Sequence, residues 1–266
     1  ELFEADGSPL GLYYGDFYTR ESKRGGAWMS ELVTPSKLFG QKPVIYNVCN
    51  YTPPTQALPC LLSYSEVETL FHEFGHALHA FFAEQQYATL AGTAVARDFV
   101  EFPSQFNEYW ALHEEVLPHY AHHYQTQEII SNTLIEKIKN SRDFNHGYRF
   151  CEVLASAYLD MKWHTLAADS QITEVTPFEV SATKRFPKEV PLRYRSLYFS
   201  HIFGGGYAAG YYAYQYSEIL AEETYHWFEK HGGLSRENGD RFRSLILSKG
   251  NTMDYQEMMK LMLSDQ

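Results

Sequence analysis

Two histidines, His72 and His76, stand four residues apart with Glu73 directly after the first. They lie in a stretch where Val67, Leu70, Phe71, Phe74, Leu78 and Phe81 recur at helical spacing. Residues four apart on a helix differ by roughly 40° in azimuth, so both imidazoles leave one face and can grip one ion. Ser65-Glu-Val-Glu68 reads as a capping box, with the Ser65 hydroxyl accepting a first-turn amide while Glu68 reaches back. The spacing therefore predicts a helix over roughly 66–84. A turn rich in Phe gains nothing in packing from two imidazoles and a carboxylate, whereas a zinc site needs them there. Zinc lowers the pKa of a bound water to about 7, and Glu73 can take the remaining proton as that water attacks.

A catalytic zinc needs a third protein ligand and leaves its fourth position open. Three residues are candidates. His79 continues the face three residues past His76, but one straight helix does not readily wrap three ligands around a tetrahedral ion. Asp98 and Glu101 lie on the next element, expected as a helix from about 98 to 115 that Pro103 must start or kink. Glu101 is favoured, because a carboxylate flanked by Phe99, Val100 and Phe102 needs a partner if buried, and a divalent cation is a good one. Asp98 and Glu108 share its expected helical face as acceptors for imidazole N–H groups, with His79 also close to the centre.

Around this centre the chain reads as mainly α with a small β-sheet near the N-terminus, an α+β class. Strands and turns are expected over about 10–60, the metal-bearing helices over about 66–115, and a helical remainder over 120–266. Helical segments are expected near 126–140, 143–168, 176–184, 207–230 and 235–248. With 33 acidic against 22 basic residues the net charge is −11, which offers no basic field to nucleic acid or an anionic membrane surface. No apolar run is long enough for a membrane span. Cys49, Cys60 and Cys151 form neither a disulfide framework nor a Cys-x-x-Cys pair. Free thiols suit a reducing compartment, so a cytoplasmic location is expected.

A second informative stretch runs from Phe199 to Tyr214. Gly204, Gly205 and Gly206 make a loop that can bend over a substrate. Tyr207, Tyr211 and Tyr214 follow at spacings of four and three, and on a helix their hydroxyls would share a face. Peptide hydrolysis builds negative charge on the carbonyl oxygen, and His201 or Tyr214, with Tyr207 and Tyr211 close behind, could donate to it. A free C-terminal carboxylate would need Arg, and Arg97, Arg193 and Arg195 are available.

His72-Glu-Phe-Gly-His-Ala-Leu-His79 followed by Asp98-Phe-Val-Glu-Phe-Pro-Ser-Gln105 resembles the zinc region of the thimet oligopeptidase family of metallopeptidases. Gly11-Leu-Tyr-Tyr-Gly-Asp-Phe17, Gly25-Gly-Ala-Trp-Met29, Tyr46-Asn-Val-Cys-Asn-Tyr51, Tyr194–Tyr207 and Gly233–Gly239 are similar to its peptidyl-dipeptidase (dipeptidyl carboxypeptidase) branch. The resemblance runs from near residue 10 to beyond 250 and ends near Gln266. It implies a zincin-like catalytic domain over 1–266, one Zn2+ per chain held by His72, His76 and Glu101, and Glu73 as general base. It further implies that His201, Tyr207, Tyr211 and Tyr214 contact substrate and transition state. Members of the family are more than twice this length, and their preceding helical half forms the opposite wall of a channel. The implied partners are thus short peptide substrates and that N-terminal helical half. The implied activity is release of C-terminal dipeptides, against endo-acting oligopeptidase activity or a non-catalytic fragment that binds zinc and peptide.

Overall fold

The computed structural model describes residues 1–189 and 191–265, and of Asp143 the backbone alone. The expected end of the resemblance at Gln266 lies outside the described residues. Four strands open the chain: β1 (Leu2–Phe3), β2 (Pro9–Tyr18), β3 (Trp28–Val33) and β4 (Val44–Tyr51). They form one sheet in the order β1-β2-β4-β3, with β2 and β4 parallel and the other pairs antiparallel. β4 is central and buries Ile45, Asn47, Cys49 and Tyr51, the alternate residues of one face.

Helix α1 (Tyr64–Phe81) lies on that face. Ile45 packs with Ala77, Ala80 and Phe81, and the Tyr51 hydroxyl donates to the Glu66 carbonyl at 2.8 Å. The capping box is two residues earlier than expected: Ser63 is the N-cap and Glu66 returns to its amide at 2.7 Å. Ser63-x-x-Glu66 and Ser65-x-x-Glu68 satisfy the same pattern, and the helix takes the first, leaving Glu68 to pair with Arg142 at 3.4 Å.

The expected helix over 98–115 is broken into α2 (Arg97–Val100), α3 (Phe102–Glu108) and a single 3-10 turn over Tyr109–Leu112. Pro103 sits in the first turn of α3, where its missing N–H costs nothing, and Glu101 is the joint between the two short helices. α3 crosses α1 with almost no space between them. A Cβ on Gly75 would stand 2.7 Å from Ser104 Cα, 2.8 Å from the Pro103 carbonyl and 2.9 Å from Asn107 Cβ. Gly75→Ala is therefore expected to cost about 1–3 kcal/mol by overpacking. A lower denaturant midpoint at unchanged slope would show it, and an unchanged midpoint would refute the close crossing.

The rest is mainly helical: α4 (Asn132–Asp143), α5 (His146–His164), α8 (Ala213–Lys230) and α9 (Arg236–Phe242) start later and run shorter than expected, α6 (Val175–Ala182) starts one residue earlier, and α7 (Ser200–Phe203) and α10 (Tyr255–Met262) are not among the expected segments. A π-helical turn, Arg243–Leu247, follows α9. The largest cluster of buried apolar residues joins Phe99, Phe102 and Phe106 to Trp227, Phe228, Phe242, Met258 and Met262, fixing α2 and α3 against α8, α9 and α10. No helix among the described residues is long and apolar enough to cross a membrane.

Candidate metal centre

Glu101 is 2 % exposed, and its Oε2 lies 3.1 Å from His72 Nε2 and 3.2 Å from His76 Nε2. The donor atoms of these three residues all lie within 4.8 Å of one another. Ser104 donates to Glu101 Oε2 at 3.2 Å, and the Tyr207 hydroxyl donates to Oε1. On the far side of the ring, His72 Nδ1 donates to Glu108 Oε1 at 2.6 Å. That bond leaves Nε2 as the atom turned to the centre, as a metal-ligating imidazole requires.

Electrostatics follow from this crowding. Burial opposes a charge on His72, but its hydrogen bonds to the Glu101 and Glu108 carboxylates outweigh it and hold its pKa well above the ordinary histidine value. Burial likewise opposes the Glu101 carboxylate, while the two imidazoles pull its pKa well below the usual range. Two imidazoles closing on one buried carboxylate oxygen form a compact His-His-Glu donor set. This is the ligand chemistry of a catalytic zinc, and binding would displace the protons these groups share.

Glu73 is 5 % exposed, and burial raises its carboxyl, partly offset by the neighbouring imidazoles. Its Oε2 has no hydrogen-bond partner among the described residues. On α1 it lies between the two histidines in sequence and on the side that also carries Ala77 and Ala80, turned to β4.

Other expected positions fare differently. His79 lies outside the three-donor cluster: it is fully buried with neither ring nitrogen partnered among the described residues, and burial pushes its pKa down to about 3. Asp98 is not turned to an imidazole. The break at Glu101 takes it off the expected shared face, and its carboxylate accepts from the Tyr212 hydroxyl at 3.3 Å. The tyrosines do not share a helix face from residue 207 on, because α8 begins only at Ala213 and Ala209 has φ +52°. They meet through their rings instead. Tyr207 stacks on Tyr214 at 5.2 Å, Tyr211 lies 5.1 Å from Tyr214, and His201 lies 5.5 Å from Tyr211. Burial raises all three phenols, which keeps them protonated, and it lowers His201, which keeps that ring neutral.

Arg97 places its guanidinium over the Tyr207 ring at 4.4 Å. Arg195 is turned away and pairs with Glu179 at 2.5 Å. Gly205 packs on α7, where a Cβ would meet His201 Cα at 2.9 Å, while the positive φ of the loop falls on Gly206. Sequence reasoning missed Ser104, signalled only by its place three residues after Glu101, and Asp160, whose Asp-x-x-x-His spacing to His164 was the available sign.

The depressed His79 has a consequence for stability. Its folded pKa lies below the unfolded value, so the unfolded chain binds the extra proton between about pH 6.5 and 3. Stability from His79 is full above that window and falls with pH inside it, by about 1.4 kcal/mol per unit. His79→Leu is expected to flatten the stability profile between pH 6 and 4. An unchanged slope in denaturant titrations would refute it.

Residues 1–266 match peptidase family M3 over the whole chain. The chain belongs to peptidase family M3. This is a family of zinc metallopeptidases, and the mainly helical fold with a small N-terminal sheet fits a zincin-like M3 domain. The chain is 51% identical to dipeptidyl carboxypeptidase of Escherichia coli (strain K12) over 263 residues, which is 98% of this chain and 39% of that protein. It is 35% identical to oligopeptidase A of the same organism over 277 residues, again 98% of this chain and 39% of the relative. It thus spans about two fifths of the length of these curated relatives. Among solved structures, that of PZ peptidase A with inhibitor 2 is similar at a TM-score of 0.52 and 14% identity, covering 94% of this chain and 41% of that one. That likeness supports the M3 fold alone.

Proposed function

We propose that this chain is the catalytic part, over 1–266, of a zinc-dependent peptidyl-dipeptidase that releases C-terminal dipeptides from short, unstructured peptides. The observation that carries the reading is the meeting of His72 Nε2 and His76 Nε2 on one oxygen of Glu101, with the buried Glu73 carboxylate on the same helix. His72, His76 and Glu101 would hold the ion. When bound, zinc supplies a Lewis acid that brings a coordinated water to a pKa of about 7. Glu73 accepts the proton lost as water adds to the scissile carbonyl, and it delivers that proton to the leaving nitrogen as the C–N bond breaks. Tyr214 and the neutral His201 donate to the carbonyl oxygen as its charge grows, and Tyr207 joins them by turning its hydroxyl from Glu101. Tyr211 and the turn at Gly205 flank the substrate. Arg97 takes the C-terminal carboxylate in preference to Arg195, which already has a carboxylate partner.

Tyr207→Phe removes one such donor and is expected to lower kcat on the order of a hundredfold with KM little changed. A kcat within twofold of the parent would remove Tyr207 from the chemistry. Similarity to oligopeptidase A at 35% identity supports a second reading, endo-acting cleavage. One unblocked nonapeptide and its C-terminal amide decide between them by mass spectrometry of products. Dipeptide release from the free acid alone supports the proposal. Equal cleavage of both supports the endo mode, and cleavage of neither leaves a fragment that binds zinc and peptide without turnover.

A further inference from the structure

The segment that carries His201 and Tyr207 is tied down on both sides by buried carboxylates that the chemistry above does not use. Asp160, on α5, has no exposed surface. Its Oδ1 accepts the Ala209 amide and its Oδ2 the Tyr211 amide, each at 2.9 Å. His164, one turn along α5, brings Nδ1 to 2.7 Å from Oδ1. On the other side Glu179, 2 % exposed on α6, accepts the Ser196 amide at 2.5 Å.

A buried carboxylate is unfavourable unless its oxygens are hydrogen-bonded. Asp160 turns both oxygens to the loop backbone, as an anion sits in a concavity of N–H groups. Between the two amides, Ala209 holds φ +52°, a left-handed conformation that a non-glycine residue keeps only where its surroundings over-determine it. The turn fixed in this way separates Tyr207, whose hydroxyl reaches Glu101, from Tyr211, whose ring rests on Tyr214.

We infer that Asp160 is a positioning residue: its two backbone hydrogen bonds hold the Tyr207–Tyr211 turn so that the phenols converge on the His72–His76–Glu101 centre. The placement of the turn stands on its own geometry, and its effect on turnover rests on the proposed peptidase reading.

Asp160→Asn keeps the shape but sets an NH2 group against one of the two amides, which then lacks an acceptor. In metal-free protein, amide exchange followed by NMR is expected to show Ala209 and Tyr211 protected in the parent. In the variant those amides should exchange about tenfold faster or more, with α1 unchanged. Exchange at the parent's Ala209 and Tyr211 as fast as in exposed loops overturns the inference, even if the variant does not fold. With zinc and the unblocked nonapeptide, Asp160→Asn is expected to lower kcat about tenfold or more with KM within about twofold. Added to Tyr207→Phe, it should lower kcat by less than it does in the parent, since part of its effect passes through the Tyr207 hydroxyl already removed. Independent multiplication of the two effects overturns it.

Ala209→Gly separates positioning from mere relief of strain, because glycine takes a positive φ freely. In the Asp160→Asn background it is expected to restore stability and leave kcat low. Recovery of both would reduce Asp160 to a structural staple. If the parent with zinc leaves the peptide intact, the peptidase reading falls, and the exchange measurements still decide the role of Asp160 in the turn.

Discussion

Glu73→Gln is expected to leave zinc at one per chain while lowering kcat by on the order of 10²–10⁴-fold, the usual contribution of a general base. Glutamine has the same shape and keeps the position on α1 between His72 and His76, so the donor set is untouched. It cannot accept a proton at neutral pH. The Glu73 carboxylate is almost fully buried, and its Oε2 engages no other side chain or backbone group among the described residues. A buried carboxylate that no hydrogen bond stabilises is costly in folding terms, and a catalytic task would explain its retention. Metal analysis beside steady-state kinetics on the nonapeptide checks the prediction. Substantial turnover in the variant would mean that another group takes the proton.

The second large effect concerns the third ligand. Glu101→Ala leaves two imidazoles facing an empty joint between α2 and α3, and zinc content after dialysis is expected to fall close to none. A folded-state ligand present at a hundred times its dissociation constant stabilises by about 2.7 kcal/mol. The rise in melting temperature that zinc gives the parent should accordingly vanish in the variant. An unchanged stoichiometry would move the third position elsewhere. His79 and Asp98, the other residues considered for it, lie outside the three-donor cluster or face Tyr212.

Local patterns were legible where physics acts over one or two turns. The 3.6-residue period marks α1, and the strands expected over about 10–60 take in the central strand β4. Two capping boxes overlapped in the sequence, and nothing local distinguishes Ser63 from Ser65. Pro103 marks an interruption in the helix expected over 98–115, but the place of the break at Glu101 is shaped by packing of Phe99, Phe102 and Phe106 against distant helices. That break brings the Glu101 carboxylate to the histidines. The tyrosines were expected together on a helix and are together for another reason. Asp160, far off in sequence, accepts the amides of Ala209 and Tyr211 and keeps that stretch from being helical. Arg195 was equally illegible, since its pairing with Glu179 depends on where α6 packs. Spacing arguments reach the residues that can hold the ion, whereas contacts between remote segments decide which way each side chain turns.

The absence of a side chain on Gly75 separates loss of metal from loss of fold. With α1 and α3 in backbone contact, no layer of adaptable side chains lies between the element bearing the histidines and the one that Glu101 begins. The donor set is then held by the docked backbones rather than by the ion. A chelator should therefore strip the metal without parting α1 from α3, and zinc restored afterwards should find the site already built.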